Sequence, residues 1–327
     1  MRQLSLLLIP LLAITLLFGC GSDNDSGSNA VQQNTASTDA QTDPAGTAEE
    51  AVALRYRFEQ GQRIDFLSQT RNANNIISVG QTTETAIDIY CHVTIETVES
   101  DGTATATWIN DRVIFKVQGS GGTFKFDSAD GEEPDNPLWQ MMKPMVRAMQ
   151  NGQGNFRVSP LGVVSDFKPT KELAARLAKD QTMAAIATSG QLESVAKTLF
   201  AHLPENPVKL NETWNEVTDL ELQAGIKVEQ ETIRTYLGEE RHDGKDLVRL
   251  DNTQRVITEL GSDAIYKKLQ YKAGATRGTE WFDPKLGWVV EETDTTVLEM
   301  EMEVNGTQVV VETTSETTLQ LQSPSSE

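Results

Sequence analysis

One-for-one alternation of apolar and polar residues from Ile87 to Glu96, inside the stretch from position 83 to position 98, constrains the fold more than any other feature of the chain. A period of two places neighbouring side chains on opposite faces of a strand, and one wet face is typical of antiparallel sheets. The apolar face carries Ile87, Ile89, Cys91, Val93 and Ile95, and the polar face carries Asp88, Tyr90, His92, Thr94 and Glu96. The stretch predicts a long antiparallel strand whose polar face lies in solvent.

Turn signals join this strand to others of the same rhythm in both halves of the chain. Asp101-Gly102 and Asn305-Gly306 are typical of tight β-hairpins. Asn110-Asp111 predicts a bulge or break, and residues 72–80 predict a polar loop. The other predicted strands cover residues 52–58, 63–70, 103–117, 123–127, 226–237, 245–257, 265–273, 276–282, 288–304 and 307–321, with a small hairpin over 156–167.

The middle of the chain has helical spacing instead. Asn136 or Asp135 can cap a helix with Pro137 at its first position, and Pro144 is expected to kink or end that helix. A second helical region is predicted over residues 170–201. One stripe of the first helix carries Leu138, Met141, Met142, Met145 and Met149.

The order of strands, helices and strands predicts an α+β fold that is mainly β. We expect one long, curved, half-barrel-like antiparallel sheet, with the central helical segment packed on one of its faces. This body is predicted to be a single domain over residues 51–322, with its helical insert at about 136–202.

The N-terminus begins with Arg2 and an apolar run from Leu4 to Phe18, which is too short to span a bilayer as a helix. The run ends in Leu17-Phe18-Gly19-Cys20, which resembles the lipobox of bacterial lipoproteins. The resemblance implies a signal peptide over residues 1–20, lipid attached to Cys20, and, since Asp does not follow the cysteine, the periplasmic face of an outer membrane. An ordinary cleaved signal with an incidental cysteine is the alternative. Residues 21–50 are almost entirely small or polar and predict a disordered tether.

Charge and cysteine content narrow the function classes. The formal net charge of −20 argues against binding to nucleic acid or electrostatic docking on anionic lipid. There are two cysteines, so lipidation of Cys20 would leave Cys91 without a disulfide partner. Cys91 is then expected to be a buried core residue.

Known catalytic and metal motifs are not found. The three histidines, His92, His202 and His242, show no paired ligand spacing, and Cys91-His92 should point to opposite faces of one strand. We therefore predict no catalytic residues, no metal site, no cofactor and no enzymatic activity. Two sets of acidic residues are expected to be solvated: Asp127, Asp130, Glu132, Glu133 and Asp135 in one loop, and Glu299, Glu301 and Glu303 on one strand face.

Two resemblances extend over the folded part. Residues 54–321 resemble a family of uncharacterised bacterial lipoproteins, known as a domain of unknown function, which implies no assigned activity. The motif Trp281-Phe282-Asp283-Pro284-Lys285-Leu286-Gly287 is similar to strand turns of lipoprotein-carrier half-barrels, in which a curved sheet surrounds an apolar cavity. The features that match the first family are Tyr56-x-Phe58-x-x-Gly61, Asp101-Gly102, Ser159-Pro160-x-Gly162, Leu203-Pro204-x-x-Pro207-Val208 and Trp214.

Together these observations predict a membrane-anchored, non-enzymatic module that binds an apolar or lipid-like ligand. Methionine adapts to varied apolar partners, so Met141, Met142, Met145 and Met149 are the candidate ligand-binding residues, the alternative being that they pack the core. A structural or interaction lipoprotein that contacts other envelope proteins is the competing hypothesis.

Overall fold

A computed structural model describes residues 51–120, 122–179, 189–221, 226–260, 267–304 and 307–322. In this part of the chain, twelve strands form one antiparallel sheet and three α-helices accompany it. The strands are β1 (Arg63–Ile76), β2 (Gln81–Val98), β3 (Ala104–Gly119), β4 (Gly122–Asp127), β5 (Gln153–Val158), β6 (Val164–Pro169), β7 (Thr213–Glu221), β8 (Ile226–His242), β9 (Lys245–Leu260), β10 (Lys267–Asp283), β11 (Trp288–Val304) and β12 (Thr307–Leu321). The helices are α1 (Pro137–Gln150), α2 (Lys171–Leu177) and α3 (Ser189–Lys197).

The strand order is β6-β5-β3-β2-β1-β12-β11-β10-β9-β8-β7, and β4 pairs with the second half of β3. Each half of the chain builds its own run of antiparallel strands. The two halves join where β1 pairs with β12, from Phe66 opposite Leu321 to Ile76 opposite Val311. The sheet is long, curved and open, which confirms the predicted mainly β half-barrel-like architecture.

An aromatic core closes one end of the inner face, which is the face that carries the buried side chains of β1, β2 and β8–β12. Tyr56 contacts both Phe200 and Trp288, with ring centroids 5.5 Å apart in each pair. The backbone N–H of Tyr56 donates to Pro160 O at 2.8 Å, and that of Arg57 donates to Gly287 O at 3.2 Å. The segment before β1 therefore fastens the two halves of the sheet together.

Helix α1 begins as predicted, because Asn136 Oδ1 accepts a hydrogen bond from Leu138 N at 2.8 Å. The helix packs against β3 and β4 over a cluster that includes Phe115, Phe124, Phe126 and Trp139. It does not end at Pro144 but continues to Gln150. Burial of Met145 and Val146 beyond the proline keeps this part of the helix on the sheet.

Several predicted boundaries were wrong. Residues 52–58 form no strand and contribute only a bridge between Val52 and Val208. Residues 72–76, predicted to be loop, continue β1. Strand β7 was not predicted, and β10 is one strand where two were expected. The predicted bulge is confirmed, since Tyr90 faces Arg112 and Cys91 faces Asn110, which leaves Asp111 unmatched.

The predicted signal peptide, lipobox and tether lie outside the described residues. Within the described part, no helix has both the length and the apolar composition needed to cross a bilayer.

Candidate ligand-binding face

The predicted methionines occupy the contact between α1 and the sheet. Met142 and Met145 are buried in the same cluster as Phe115 and Trp139, and Met149 packs against its edge. Met141 lies in the helix, but its side chain is outside the described set, as is Cys20. These contacts are core packing, and ligand binding by the methionines remains a prediction.

Cys91 is buried as predicted, and burial raises the pKa of its thiol to about 12. A thiol with such a pKa is almost entirely protonated at neutral pH and is a poor nucleophile. His92 is not solvated as predicted, since only 8% of its surface is exposed. The bulge at Asp111 brings that carboxylate to 2.7 Å from His92 Nδ1, which covers the ring from the polar side.

The prediction that the acidic residues after β4 are solvated agrees with the exposure of Asp130, Glu132, Glu133 and Asp135, and it is wrong for Asp127. Asp127 is buried and accepts hydrogen bonds from Arg112 Nε at 2.9 Å and Nη2 at 2.6 Å. Glu133 pairs with Lys143 and Arg147 of α1, at 2.6 and 2.7 Å. These carboxylates hold the loop and the helix, so they form structural ion pairs.

Two groups of side chains among the described residues have ligand atoms close enough for a metal ion: Asp65, His92 and Asp111, and His242, Asp243 and Glu291. In the first group, the guanidinium of Arg63 lies 2.8 Å from Asp65 and 3.6 Å from Asp111. The guanidinium therefore already balances the charge of these two carboxylates. In the second group, the imidazole stacks on Trp281 with a centroid distance of 4.1 Å.

The inner face carries a row of directly opposed polar residues that crosses seven neighbouring strands. Register pairs each member with the next along β8, β9, β10, β11, β12, β1 and β2. All of them are buried. The row is Thr232, Gln254, Thr276, Thr296, Ser315, Asn72 and Thr85.

Further polar residues flank this row on the same face, and the whole set is called the polar belt. They are mostly buried, although Glu292 and Asp294 are half-buried. The flanking members are Thr70, Asn74, Arg234, Asn252, Glu280, Glu292, Asp294 and Thr313.

The polar belt separates two apolar zones. On one side lies the aromatic core, with Tyr236, Leu250 and Phe282 on the strands that carry the charged members. On the other side lies the outer apolar zone, whose side chains are all buried. Its members are Ile76, Leu298, Met300, Val309 and Val311. The inner face is therefore amphipathic along the strand direction.

The charged members of the belt are gathered on β8 to β11. Arg234 Nε lies 2.8 Å from Glu280 Oε1, and its Nη1 lies 3.0 Å from Glu216 Oε2 on β7. Asn252 Nδ2 donates to Glu280 Oε1 at 3.2 Å and to Asp294 Oδ1 at 3.1 Å. A single amide thus links carboxylates from two different strands.

Some polar atoms of the belt have no hydrogen-bond partner among the described residues. They are both side-chain atoms of Asn72, Thr85 Oγ1, Asn252 Oδ1 and Glu280 Oε2. Asn72 is only 4% exposed and Glu280 is fully buried. Burying such an atom without a partner costs about 1–3 kcal/mol, so the arrangement is unfavourable unless another group meets it.

Sequence reasoning missed the belt. Its members are spread over seven strands, and the pairing of β1 with β12 joins those on β1 and β2 to those on β8–β12. The available signal was polar residues at alternate positions of predicted strands, as at Asn252 and Gln254, but the same pattern is typical of a solvated face.

A concavity of about 280 Å³ lies beside β7 and is lined by residues that include His202, Glu205 and Trp214. It lies against the loop that precedes β7, and the described members of the polar belt do not line it. Unpartnered buried polar atoms occur in the belt and not among the described residues that line this concavity, so we regard the belt as the candidate site.

No protein-family model matches the chain, and neither does any curated protein sequence. Solved structures give partial likenesses at low identity. A lipovitellin structure, described in terms of lipid–protein interactions, is 10% identical with a TM-score of 0.47 over 82% of this chain, which spans only 26% of that protein. A protein from Bacteroides fragilis described as exported, with a YmcC-like fold, is 12% identical with a TM-score of 0.31, over 83% of this chain and 100% of the other.

A DUF1329 family protein from Desulfovibrio piger is also 12% identical, with a TM-score of 0.17 over 80% of this chain and 87% of the other. At these scores, the likenesses carry no argument about the ligand or activity of this chain.

Proposed function

We propose that this protein is a non-enzymatic, membrane-anchored binding protein for an amphipathic, lipid-like ligand that lies along the inner face of its sheet. The observation that carries the proposal is the buried polar belt with its unpartnered atoms, placed between two apolar zones. The polar part of the ligand meets the belt, and its hydrocarbon lies against the outer apolar zone.

The energetics favour a ligand over simple packing. If the inner face served only to fill a core, apolar residues at Asn72 and Thr85 would remove the cost of unpaired polar atoms. Ligand sites typically combine apolar walls with a few polar groups that fix orientation. The layered inner face has that composition.

The environments of Cys91 and the three histidines, which are the usual candidates for a nucleophile and a base, agree with a binding role. The pKa of the Cys91 thiol is raised to about 12 by burial. The three histidines pair with carboxylates of other parts of the protein: His92 with Asp111, His202 with Glu216 and His242 with Glu291. None of them belongs to the polar belt, so the belt has no imidazole base.

The N-terminal sequence supports the place of action. Leu17-Phe18-Gly19-Cys20 would direct export and lipid attachment at Cys20, and residues 21–50 would let the folded body stand away from the membrane. The body would then lie in the periplasm of a cell with two membranes, held at the outer one.

The test compares two asparagines of β1. Asn72 is buried in the belt, whereas Asn75 is exposed on the other face. Asn72→Leu should remove the unpartnered amide, raise the free energy of unfolding by about 1 kcal/mol, and abolish binding of a phospholipid labelled with a fluorophore on its acyl chain. Asn75→Leu should leave this binding unchanged.

Native mass spectrometry of the full-length protein after gentle purification gives an independent readout. We expect a copurified mass of lipid size on the wild type and on Asn75→Leu, and less of it on Asn72→Leu. A clean apo mass together with no binding of the labelled phospholipid by the wild type would refute the proposal.

A further inference from the structure

At the charged end of the polar belt, the carboxylates outnumber the cationic side chains among the described residues. Glu280 and Glu292 face each other directly across β10 and β11, and Asp294 lies one pleat further along. Among the described residues, Arg234 is the only cationic side chain within 4.0 Å of these carboxylates, and it also pairs with Glu216. Like charges directly opposed in a sheet repel, so this end attracts positive charge.

The hydrogen-bonding groups left free at this end are acceptors. The side-chain amide nitrogens of Asn252 and Gln254 already donate, to Glu280 and Asp294 and to Asp294 respectively. Among the residues that the structure describes, the atoms at this end that lack partners are Glu280 Oε2 and Asn252 Oδ1, both oxygens on buried side chains. A ligand group that satisfies them must therefore donate hydrogen bonds.

Gly278 shapes this end of the site. A Cβ at this position would lie 1.7 Å from Asp294 Oδ1 and 2.8 Å from Asn252 Nδ2. Glycine therefore leaves the space through which the carboxylate reaches across β10 to the amide.

The shifted pKa values of the carboxyls at this end also indicate that it attracts positive charge. Burial raises the pKa of Glu292 well above its ordinary value, and the charges of Asp294 and Glu280 raise it further. Burial also raises the pKa of Asp294. These carboxyls favour either a bound proton or a bound cation.

The spacing of the carboxylates disfavours a metal ion. Among the described residues, groups of three ligand atoms within 4.8 Å of one another occur elsewhere, but Glu280, Glu292 and Asp294 do not form one. An ammonium group has three diverging N–H donors and does not require ligands at metal–oxygen distances.

We propose that the Glu280–Asn252–Glu292–Asp294 end of the polar belt binds the protonated primary amine of an amphipathic ligand. This inference rests on the proposed function and names the polar part of its ligand. The ammonium donates to Glu280 Oε2 and Asn252 Oδ1, and its charge is balanced by Glu292 and Asp294. Arg234 stays paired with Glu280 and Glu216.

The experiment measures binding of dodecylamine, dodecanol and dodecanoate to the full-length protein by calorimetry at pH 7, with the two ionic probes below their micelle concentrations and dodecanol below its solubility limit. The three probes share a chain length and differ only in the polar group. We expect dodecylamine to bind about ten- to hundredfold more tightly than dodecanol, as a charge-assisted hydrogen bond predicts.

Glu292→Gln and Asp294→Asn are the test variants, since both keep side-chain volume and the Arg234–Glu280 pair. Each should reduce the preference for the amine at least about tenfold. Glu299→Gln is the matched control, because Glu299 lies on the same strand at an odd-numbered position that faces away from the belt. It should retain the full preference. Urea unfolding of each variant establishes that it is folded.

The outcomes separate the two proposals. Equal binding of the three probes, or a preference for dodecanoate, would overturn the ammonium inference while leaving the proposed function intact. An amine preference that persists in both test variants would refute the assignment to this end of the belt. Failure of all three probes to bind would count against the proposed function as well.

Discussion

Asp127 shows how one buried carboxylate makes stability depend on pH. Hydrogen bonds from the Arg112 guanidinium lower the pKa of Asp127 to about 2. Because the pKa is lower in the folded state, this pair stabilises the protein above about pH 4, and the contribution disappears as the pH falls through about 2.

We predict that Asp127→Asn lowers the free energy of unfolding by about 1 kcal/mol at pH 7, a value reduced because the guanidinium is partly exposed. The deficit should shrink between pH 4 and pH 2 in urea unfolding experiments. Asp130→Asn, in the same loop but exposed, is the control. A deficit that does not change over this pH range would show that the carboxylate charge is not the source.

The burial of a residue could be predicted from the sequence only where the alternation of a single strand determines it. The burial of Cys91 followed from alternation and is confirmed. The burial of His92 was not predictable, because it depends on a bulge that turns Asp111 over the ring. Asn72 was missed for a related reason: an Asn-rich stretch is typical of loops, and only pairing with Ser315 and Thr85 places it in a sheet.

At the scale of elements, long strands with clear alternation were predicted with nearly correct bounds. The prediction of β2 over residues 83–98 compares with Gln81–Val98 in the structure, and β11 and β12 agree fully. Strand β7 was missed because its mixture of polar and apolar residues shows weak alternation, and pairing with β8 defines it. The members of the candidate site were missed because cross-strand register is a property of several elements together.

The turn between β5 and β6 gives a prediction at this scale. Gly162 has φ +82°, and a Cβ there would lie 2.2 Å from Ala201 O. In the same turn, Leu161 O accepts a hydrogen bond from Leu203 N at 2.8 Å. The turn therefore holds the chain segment that follows α3.

Gly162→Ala should therefore destabilise the protein through both backbone strain and steric overlap. Gly61 is a matched control, with φ +81° and no atom within 4 Å of an added Cβ. We expect Gly61→Ala to cost about 1–2 kcal/mol from strain alone, and Gly162→Ala to cost about 1–3 kcal/mol more. Urea unfolding measures both, and equal losses would contradict the close approach.

At the scale of the whole molecule, the site depends on the longest-range pairing in the sheet. Asn72 and Ser315 are neighbours in the polar row although they lie at opposite ends of the folded chain. Such pairing is slow to form, because distant segments must meet before the contact stabilises them. The polar row is therefore complete only when the two halves of the sheet have joined.

The predicted lipid attachment at Cys20 gives a prediction about the whole molecule. If Leu17-Phe18-Gly19-Cys20 is a lipobox, Cys20→Ser should leave the signal uncleaved or release the folded body from membranes, because no acyl chains can be attached. Fractionation of cells and the mass of the N-terminus measure this.

Cys91→Ala is the control, since this residue is the other cysteine and is buried in the core. It should leave membrane association unchanged. Identical processing and fractionation of Cys20→Ser and wild type would refute lipid attachment at Cys20.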